Sequence, residues 1–245
     1  MRDFELAKWL ISCLDLTSLN KNDNETSIIK LCKKAVTAHG NVAAVCVYTK
    51  FIPVVQKELE NTKIKIASVV NFPEGGTNFV TLKEEIKKAI GLGANEIDAV
   101  FPYKSFLQGD EKTCREFLEI VSKECGKKHK SKIILETGEI KRSTLIAQAG
   151  KLCIEYDINF IKTSTGKTDI SATIETANTI LETIAESGSE IGFKASGGIK
   201  TFEDARKYIV LSQVILGEEW PSPKHFRIGA SSLLDDLLKI IREEH

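Results

Sequence analysis

No charge of one sign prevails in this chain. Thirty-four lysines and arginines face 34 aspartates and glutamates over 245 residues, a formal net charge of +0. That balance argues against a nucleic acid or an anionic membrane recruited by bulk electrostatics, while leaving room for a local anion site. Long hydrophobic runs are also missing, so no membrane-spanning segment is expected. The opening Met1-Arg2-Asp3-Phe4-Glu5 lacks the apolar stretch of a signal peptide. Six cysteines show no Cys-x-x-Cys spacing, which reads most simply as reduced thiols in a cytoplasmic protein. Four histidines (His39, His129, His225, His245) are scattered, with no His-x-His or His-Glu-x-x-His, and propose no metal site. No Pro/Gly/Ser-rich linker divides the chain, so one domain over residues 1–245 is expected.

What is present is a repeated unit. Short apolar runs occur at Cys13–Leu16, Val42–Tyr48, Ile64–Asn71, Glu96–Phe101, Lys132–Thr137, Asn159–Ser164, Ile191–Ser196 and Phe226–Ala230. Residues three and four apart repeat between several of them, as in Ile28/Leu31/Cys32/Ala35, Cys114/Phe117/Leu118/Val121, Leu145/Ala149/Leu152/Tyr156 and Leu234/Leu237/Leu238/Ile241. Thr201-Phe202-Glu203-Asp204 has the pattern of a capped helix start. Strand and helix alternating eight times predict an α/β fold, a closed (β/α)8 TIM barrel. A short additional N-terminal helix (Phe4, Leu6, Trp9, Leu10) is placed at its floor. An open doubly wound sheet is the alternative, but the first strand is not followed by a Gly-x-Gly-x-x-Gly turn. Lys127-Lys128-His129-Lys130 reads as a solvated loop.

Two lysines sit inside apolar runs, Lys162 in Phe160-Ile161-Lys162-Thr163-Ser164 and Lys194 in Gly192-Phe193-Lys194-Ala195-Ser196. Burial disfavours the ammonium form, and a second cation nearby depresses the pKa further. A neutral lysine amine attacks carbonyls and forms Schiff bases. If Lys162 points inward, alternation turns Lys194 inward on the adjacent strand beside it; the bland reading is a pair of barrel-interior lysines neutralised by carboxylates. Asp98, within the apolar run Glu96–Phe101, shares that parity and is the best carboxylate partner, either as a functional group or as a structural ion pair. Asp15 is similar, or caps a strand end. Cys46 is read as a pocket wall. Glu136 either functions or satisfies a loop. Thr165-Gly166-Lys167 follows strand six, Gly197-Gly198 follows strand seven, and Gly229-Ala230-Ser231-Ser232 follows strand eight. Small residues in three consecutive turns, with a helix start behind Ser231 and Ser232, suit a phosphate cradle at the place where barrels often hold one; ordinary tight turns are the bland reading. The set proposes carbon–carbon cleavage of a phosphorylated sugar through an imine, with no cofactor.

The runs Leu14-Asp15-Leu16-Thr17, Val45-Cys46-Val47-Tyr48, Val70-Asn71-Phe72-Pro73-Glu74-Gly75, Glu96–Pro102, Phe160–Gly166, Gly192–Gly198 and Arg227–Ser232 resemble the deoxyribose-phosphate aldolase family, over about residues 13 to 235. The resemblance implies a class I aldolase that reversibly cleaves 2-deoxy-D-ribose 5-phosphate to acetaldehyde and D-glyceraldehyde 3-phosphate. It implies that Lys162 is the Schiff-base lysine, that Lys194 lowers its pKa, and that Asp98 and Asp15 handle protons. It places Lys167, Gly197, Gly198, Ser231 and Ser232 at the phosphate. The expected partners are small-molecule sugar phosphates and aldehydes, with a homo-oligomer left open. Where family members often carry Pro after Phe-Lys, this chain has Ala195. Some members end in a tail whose terminal tyrosine assists proton transfer; this sequence ends Ile240-Ile241-Arg242-Glu243-Glu244-His245. The alternatives are another Schiff-base sugar-phosphate aldolase or transaldolase, or a sugar-phosphate-binding barrel without catalysis.

Overall fold

A computed structural model describes residues 2–243. Glu244 and His245, the end of the segment compared above with tyrosine-ended tails, lie outside the described residues. Eight parallel strands close into a barrel: β1 (Leu14–Thr17), β2 (Ala44–Tyr48), β3 (Lys65–Val70), β4 (Glu96–Val100), β5 (Lys130–Ile134), β6 (Phe160–Lys162), β7 (Gly192–Ser196) and β8 (Phe226–Ala230). Each strand pairs with the next, and β8 closes onto β1 through Asp15 opposite Gly229. Helices connect the strands, as parallel neighbours require. This is the (β/α)8 barrel that the alternation predicted.

The helices bury their apolar stripes against the outer faces of the strands. Helix Glu111–Cys125, for instance, buries Cys114, Phe117, Leu118 and Val121. Among the described residues, no helix is long and apolar enough to cross a membrane. The N-terminal helix, Asp3–Ser12, buries Ala7, Leu10 and Ile11. It lies against the C-terminal helix, Leu233–Glu243, and its Trp9 ring comes within 6.1 Å of Phe226 at the lower end of β8. A two-stranded hairpin, Val36–Thr37 with Gly40–Asn41, sits outside the barrel.

Most strand ends shift by one to three residues from the sequence reading, and two of these shifts bear on the site. Lys130 opens β5 and is not loop; its ammonium lies 5.1 Å from the centre of the Phe160 ring, so ring and aliphatic stem shelter one another. Strand β5 therefore starts before the expected Lys132 and ends at Ile134, with Glu136 turned into the left-handed region (φ 57°). On the next strand β6 ends at Lys162, and Thr163–Ser164 are irregular, though still hydrogen-bonded to their neighbours. Thr137 N–H donates to the Thr163 carbonyl at 3.0 Å, which draws the chain out of simple ladder pairing.

At the start of helix Phe202–Leu216, Thr201 accepts from Asp204 N–H at 3.1 Å, and Asp204 accepts in return from Thr201 N–H at 3.1 Å. The capping pattern in the sequence is thus realised. Thr201→Ala is expected to cost about 1 kcal/mol, the usual worth of such a cap, read as a lower midpoint of urea unfolding at unchanged slope. An unchanged midpoint would show that the cap contributes nothing here.

Candidate active site

The barrel interior is divided in two. On β2 and β3 the inward side chains are small and apolar: Ala44, Cys46, Ala67 and Val69, packed with Leu19. The remaining strands bring charge inward. Asp15 comes from β1, Glu96 and Asp98 from β4, Lys132 from β5, Lys162 from β6, Lys194 from β7 and Arg227 from β8, all buried. Strand alternation makes this possible, since each of these positions lies on the same face of its strand. Lys162 is directly opposite Lys194 in the β6–β7 register, and Lys132 is opposite Asp98 across β4–β5.

Asp98 is the hub. Its Oδ2 accepts from Lys162 Nζ and from Lys194 Nζ, each at 2.8 Å, and its Oδ1 accepts from Lys132 Nζ at 2.8 Å. Asp15 accepts from Lys194 Nζ at 2.5 Å and from Arg227 Nη1 at 2.7 Å, and Lys132 Nζ stands 3.3 Å away. Below them, Glu96 pairs with Lys132 at 2.6 Å and with Arg227 at 3.1 Å. Asp15 is therefore an interior member of the network and not a strand-end cap. Lys132, Glu96 and Arg227 were not singled out in the sequence. Part of their signal was present: Arg227 lies inside an apolar run, Glu96 and Lys132 open theirs, and two of them flank the site by strand parity, Glu96 preceding Asp98 by two positions and Arg227 preceding Gly229 by two.

Three carboxylates face four cations in this cluster. The charges balance when one cation gives up its proton. Burial lowers the Lys162 pKa; Asp98 opposes that shift and Lys194 adds to it. The other two lysines go the opposite way. Burial also works against the Lys194 ammonium, but Asp15 and Asp98 outweigh it and hold its pKa above that of an ordinary lysine. Against the same burial cost, Asp15, Asp98 and Glu96 hold Lys132 well above the ordinary value. Burial would raise the Asp98 carboxyl, but Lys132, Lys162 and Lys194 hold it well below the usual range. The proton most readily lost is thus the one on Lys162.

A cavity of about 260 Å³ opens above this cluster at the C-terminal ends of the strands. Of the three interior lysines, Lys162 alone lines it. The same cavity is lined by Thr165, Gly166 and Lys167 after β6, by Gly197 and Gly198 after β7, and by Gly229, Ser231 and Ser232 after β8. Gly197 has φ +86° and a Cβ there would stand 2.5 Å from the Ser171 side chain, so the turn requires glycine. Ser231 and Ser232 are exposed and precede the first turn of helix Leu233–Glu243. The structure therefore gathers the expected anion-cradle residues around one cavity. Lys167 leans across it, donating from Nζ to the Leu19 carbonyl at 2.7 Å. Lys200 and Thr17 also line the cavity and were not anticipated. Cys46 does not line it: buried in the apolar half, it stands one inward position below Tyr48 on β2. Burial raises its thiol pKa, as expected for an inert packing residue.

Glu96→Ala would leave Arg227 and Lys132 buried with one fewer counter-charge. Breaking a buried pair from one side costs about 3–5 kcal/mol, so this variant is expected to lose most of its stability in chemical denaturation. A loss below about 1 kcal/mol would show that the lower tier is readily rehydrated.

Comparisons with known proteins bear on the fold and on the family. A protein from Toxoplasma gondii ME49, provisionally assigned as a deoxyribose-phosphate aldolase, superposes with a TM-score of 0.90 at 22% identity, covering 98% of this chain and 95% of that one. A similarly assigned protein from Coccidioides immitis matches at 27% identity and a TM-score of 0.83, over 97% of this chain and 86% of that one. The deoxyribose phosphate aldolase of Aeropyrum pernix, described as having a unique tetrameric structure, matches at 20% identity and a TM-score of 0.80, over 99% and 98% of the two chains. The profile of the DeoC/LacD family aldolases matches residues 9–239, nearly the whole barrel, and the chain belongs to that family.

Proposed function

We propose that this aldolase is a Schiff-base enzyme for 2-deoxy-D-ribose 5-phosphate, yielding acetaldehyde and D-glyceraldehyde 3-phosphate. One observation carries the reading: the interior lysine whose proton is held least firmly is also the one that meets the cavity. A reference lysine near pKa 10.4 is almost wholly protonated at neutral pH, and a nucleophilic amine needs the opposite. Resemblance to the deoxyribose-phosphate aldolase family supplies the substrate, and the Gly/Ser-lined end of the cavity suits its phosphate.

The chemistry follows from the positions. Neutral Lys162 adds to the open-chain aldehyde at C1. Loss of water from the carbinolamine leaves an iminium, which draws electrons from C2. A base removes the C3 hydroxyl proton as the C2–C3 bond breaks: its electrons flow through C2 into the iminium, C3 becomes the aldehyde carbon of glyceraldehyde 3-phosphate, and an enamine stays on Lys162. Asp98 is the base nearest Lys162, acting through a water between its carboxylate and the hydroxyl. Lys194 and Asp15 lie behind Asp98 and share its proton. Protonation of the enamine carbon and hydrolysis of the imine release acetaldehyde and restore the amine.

Incubation with acetaldehyde and borohydride is expected to leave an ethyl adduct on Lys162, located by peptide mass mapping, and Lys162→Ala is expected to abolish turnover. An adduct on another lysine, or substantial activity in the alanine variant, would overturn the assignment. A second prediction concerns the pH–rate profile. Replacing Lys194 by Met removes a cation from beside Lys162 and leaves Asp98 less compensated. Both changes raise the Lys162 pKa, so the acidic limb of kcat/KM is expected to move to higher pH. An unmoved limb would argue against the electrostatic role of Lys194.

A further inference from the structure

Between β6 and helix Ile174–Ser187 the chain runs for eleven residues, 163–173, without regular structure, and this segment supplies Thr165, Gly166 and Lys167 to the cavity. Such a loop has few backbone bonds of its own to fix it. Its anchor is the turn after β5. The Glu136 carboxylate, fully buried, accepts from Thr165 N–H at 3.3 Å on both oxygens, from the Thr165 hydroxyl on Oε2, and from the Thr168 hydroxyl on Oε1 at 3.2 Å. The Thr165 hydroxyl in turn accepts from Lys167 N–H at 3.0 Å. A continuous chain of hydrogen bonds thus runs from Glu136 to the two backbone positions that flank Gly166.

Two further features press the same turn against the same loop. Thr137 N–H donates to the Thr163 carbonyl at 3.0 Å. Gly138 packs so closely that a Cβ would stand 2.0 Å from the Ile170 carbonyl oxygen. To deliver its carboxylate, Glu136 adopts a left-handed backbone (φ 57°, ψ 60°), a conformation disfavoured for a residue with a Cβ. Glu136 does not line the cavity and touches none of the interior lysines.

We infer that Glu136 is a positioning residue for anion recognition: it pre-forms the Thr165–Lys167 segment so that the cavity binds the phosphate end of its substrate, and it takes no part in the carbon–carbon chemistry. This inference rests on the reading of the cavity as a sugar-phosphate site. Pre-organisation of this kind acts on affinity, because a loop that must order on binding loses part of its interaction energy to that ordering. The role predicts a split by substrate. The phosphorylated sugar loses affinity when the anchor is cut, whereas an unphosphorylated sugar, which makes no use of the cradle, does not.

The test compares Glu136→Ala, Glu136→Asp and Glu136→Gln in the full chain, with circular dichroism to verify folding. Inorganic phosphate is titrated by 31P NMR, and kcat and KM are measured for 2-deoxyribose 5-phosphate and for 2-deoxyribose. Glu136→Ala is expected to weaken phosphate binding and raise KM for the phosphorylated sugar by about tenfold or more, equivalent to about 1.4 kcal/mol. Its kcat and its KM for 2-deoxyribose should stay within about threefold of the parent enzyme, about 0.6 kcal/mol. Glu136→Asp withdraws the oxygens by about one bond length, ~1.5 Å, and should weaken phosphate in the same sense; it carries the test if the alanine variant does not fold. Glu136→Gln should restore most of the affinity, since its oxygen still accepts from Thr165 and its amide donates to the Thr168 hydroxyl. Unchanged phosphate affinity in both shortened variants overturns the inference. So does an equal loss of kcat on both sugars with KM unchanged, which would make Glu136 part of proton transfer. Because the phosphate titration needs no turnover, it stays readable even if Lys162 forms no imine.

Discussion

The constraint on which the site depends is the buried charge cluster that occupies the barrel interior. Taking seven ionisable side chains out of water is costly, and mutual attraction in a low-dielectric interior only offsets that cost when every group is paired. Asp98 meets three ammonium groups, Asp15 meets two lysines and an arginine, and Glu96 joins the lower pair. Buried ion pairs return little net stability, so the consequence of this arrangement is chemical. It holds the carboxylates ionised, keeps Lys132 and Lys194 protonated, and leaves Lys162 with the weakest hold on its proton.

The positions of the parts follow from barrel geometry. Strand alternation points the charges inward, the parallel closed sheet puts all the strand ends on one rim, and the turns after β6, β7 and β8 meet there around one cavity. The rim of the cavity after β6, β7 and β8 is built largely from backbone and small residues, while Lys162 rises to it from the cluster below. On the function proposed here, these two halves divide the labour: the rim holds the substrate by its phosphate, and the interior sets the protonation of the group that reacts.

Much of this was legible before any coordinates. The eight apolar runs and the helical repeats between them placed β1 to β8 within two or three residues, because a strand buried on both faces must be apolar throughout. Lys162, Lys194 and Asp98 were legible for the same reason, as charged residues interrupting such runs. Lys132 and Arg227 passed unnoticed, although Arg227 interrupts a run as well. Lys132 stood at the expected edge of its strand, where a lysine is ordinary; only the earlier start of β5 at Lys130 makes it interior. Cys46 was read as a pocket wall and not a nucleophile, but its height in the barrel, below Tyr48, depends on the stagger between strands and leaves it off the cavity wall.

The sequence by itself determined the periodicities, and with them the barrel, the inward parity of the charged residues and the small-residue turns, because these are local properties of the chain. Only the tertiary structure decided which charges meet. Asp15 reaches Lys194 and Arg227 across more than 170 positions of sequence, and Glu136 reaches Thr165 through a turn whose left-handed start no propensity signals. Pairing, relative height and the resulting order of proton affinities depend on how the strands stagger as the barrel closes. That is a property of the assembled sheet and of no single segment.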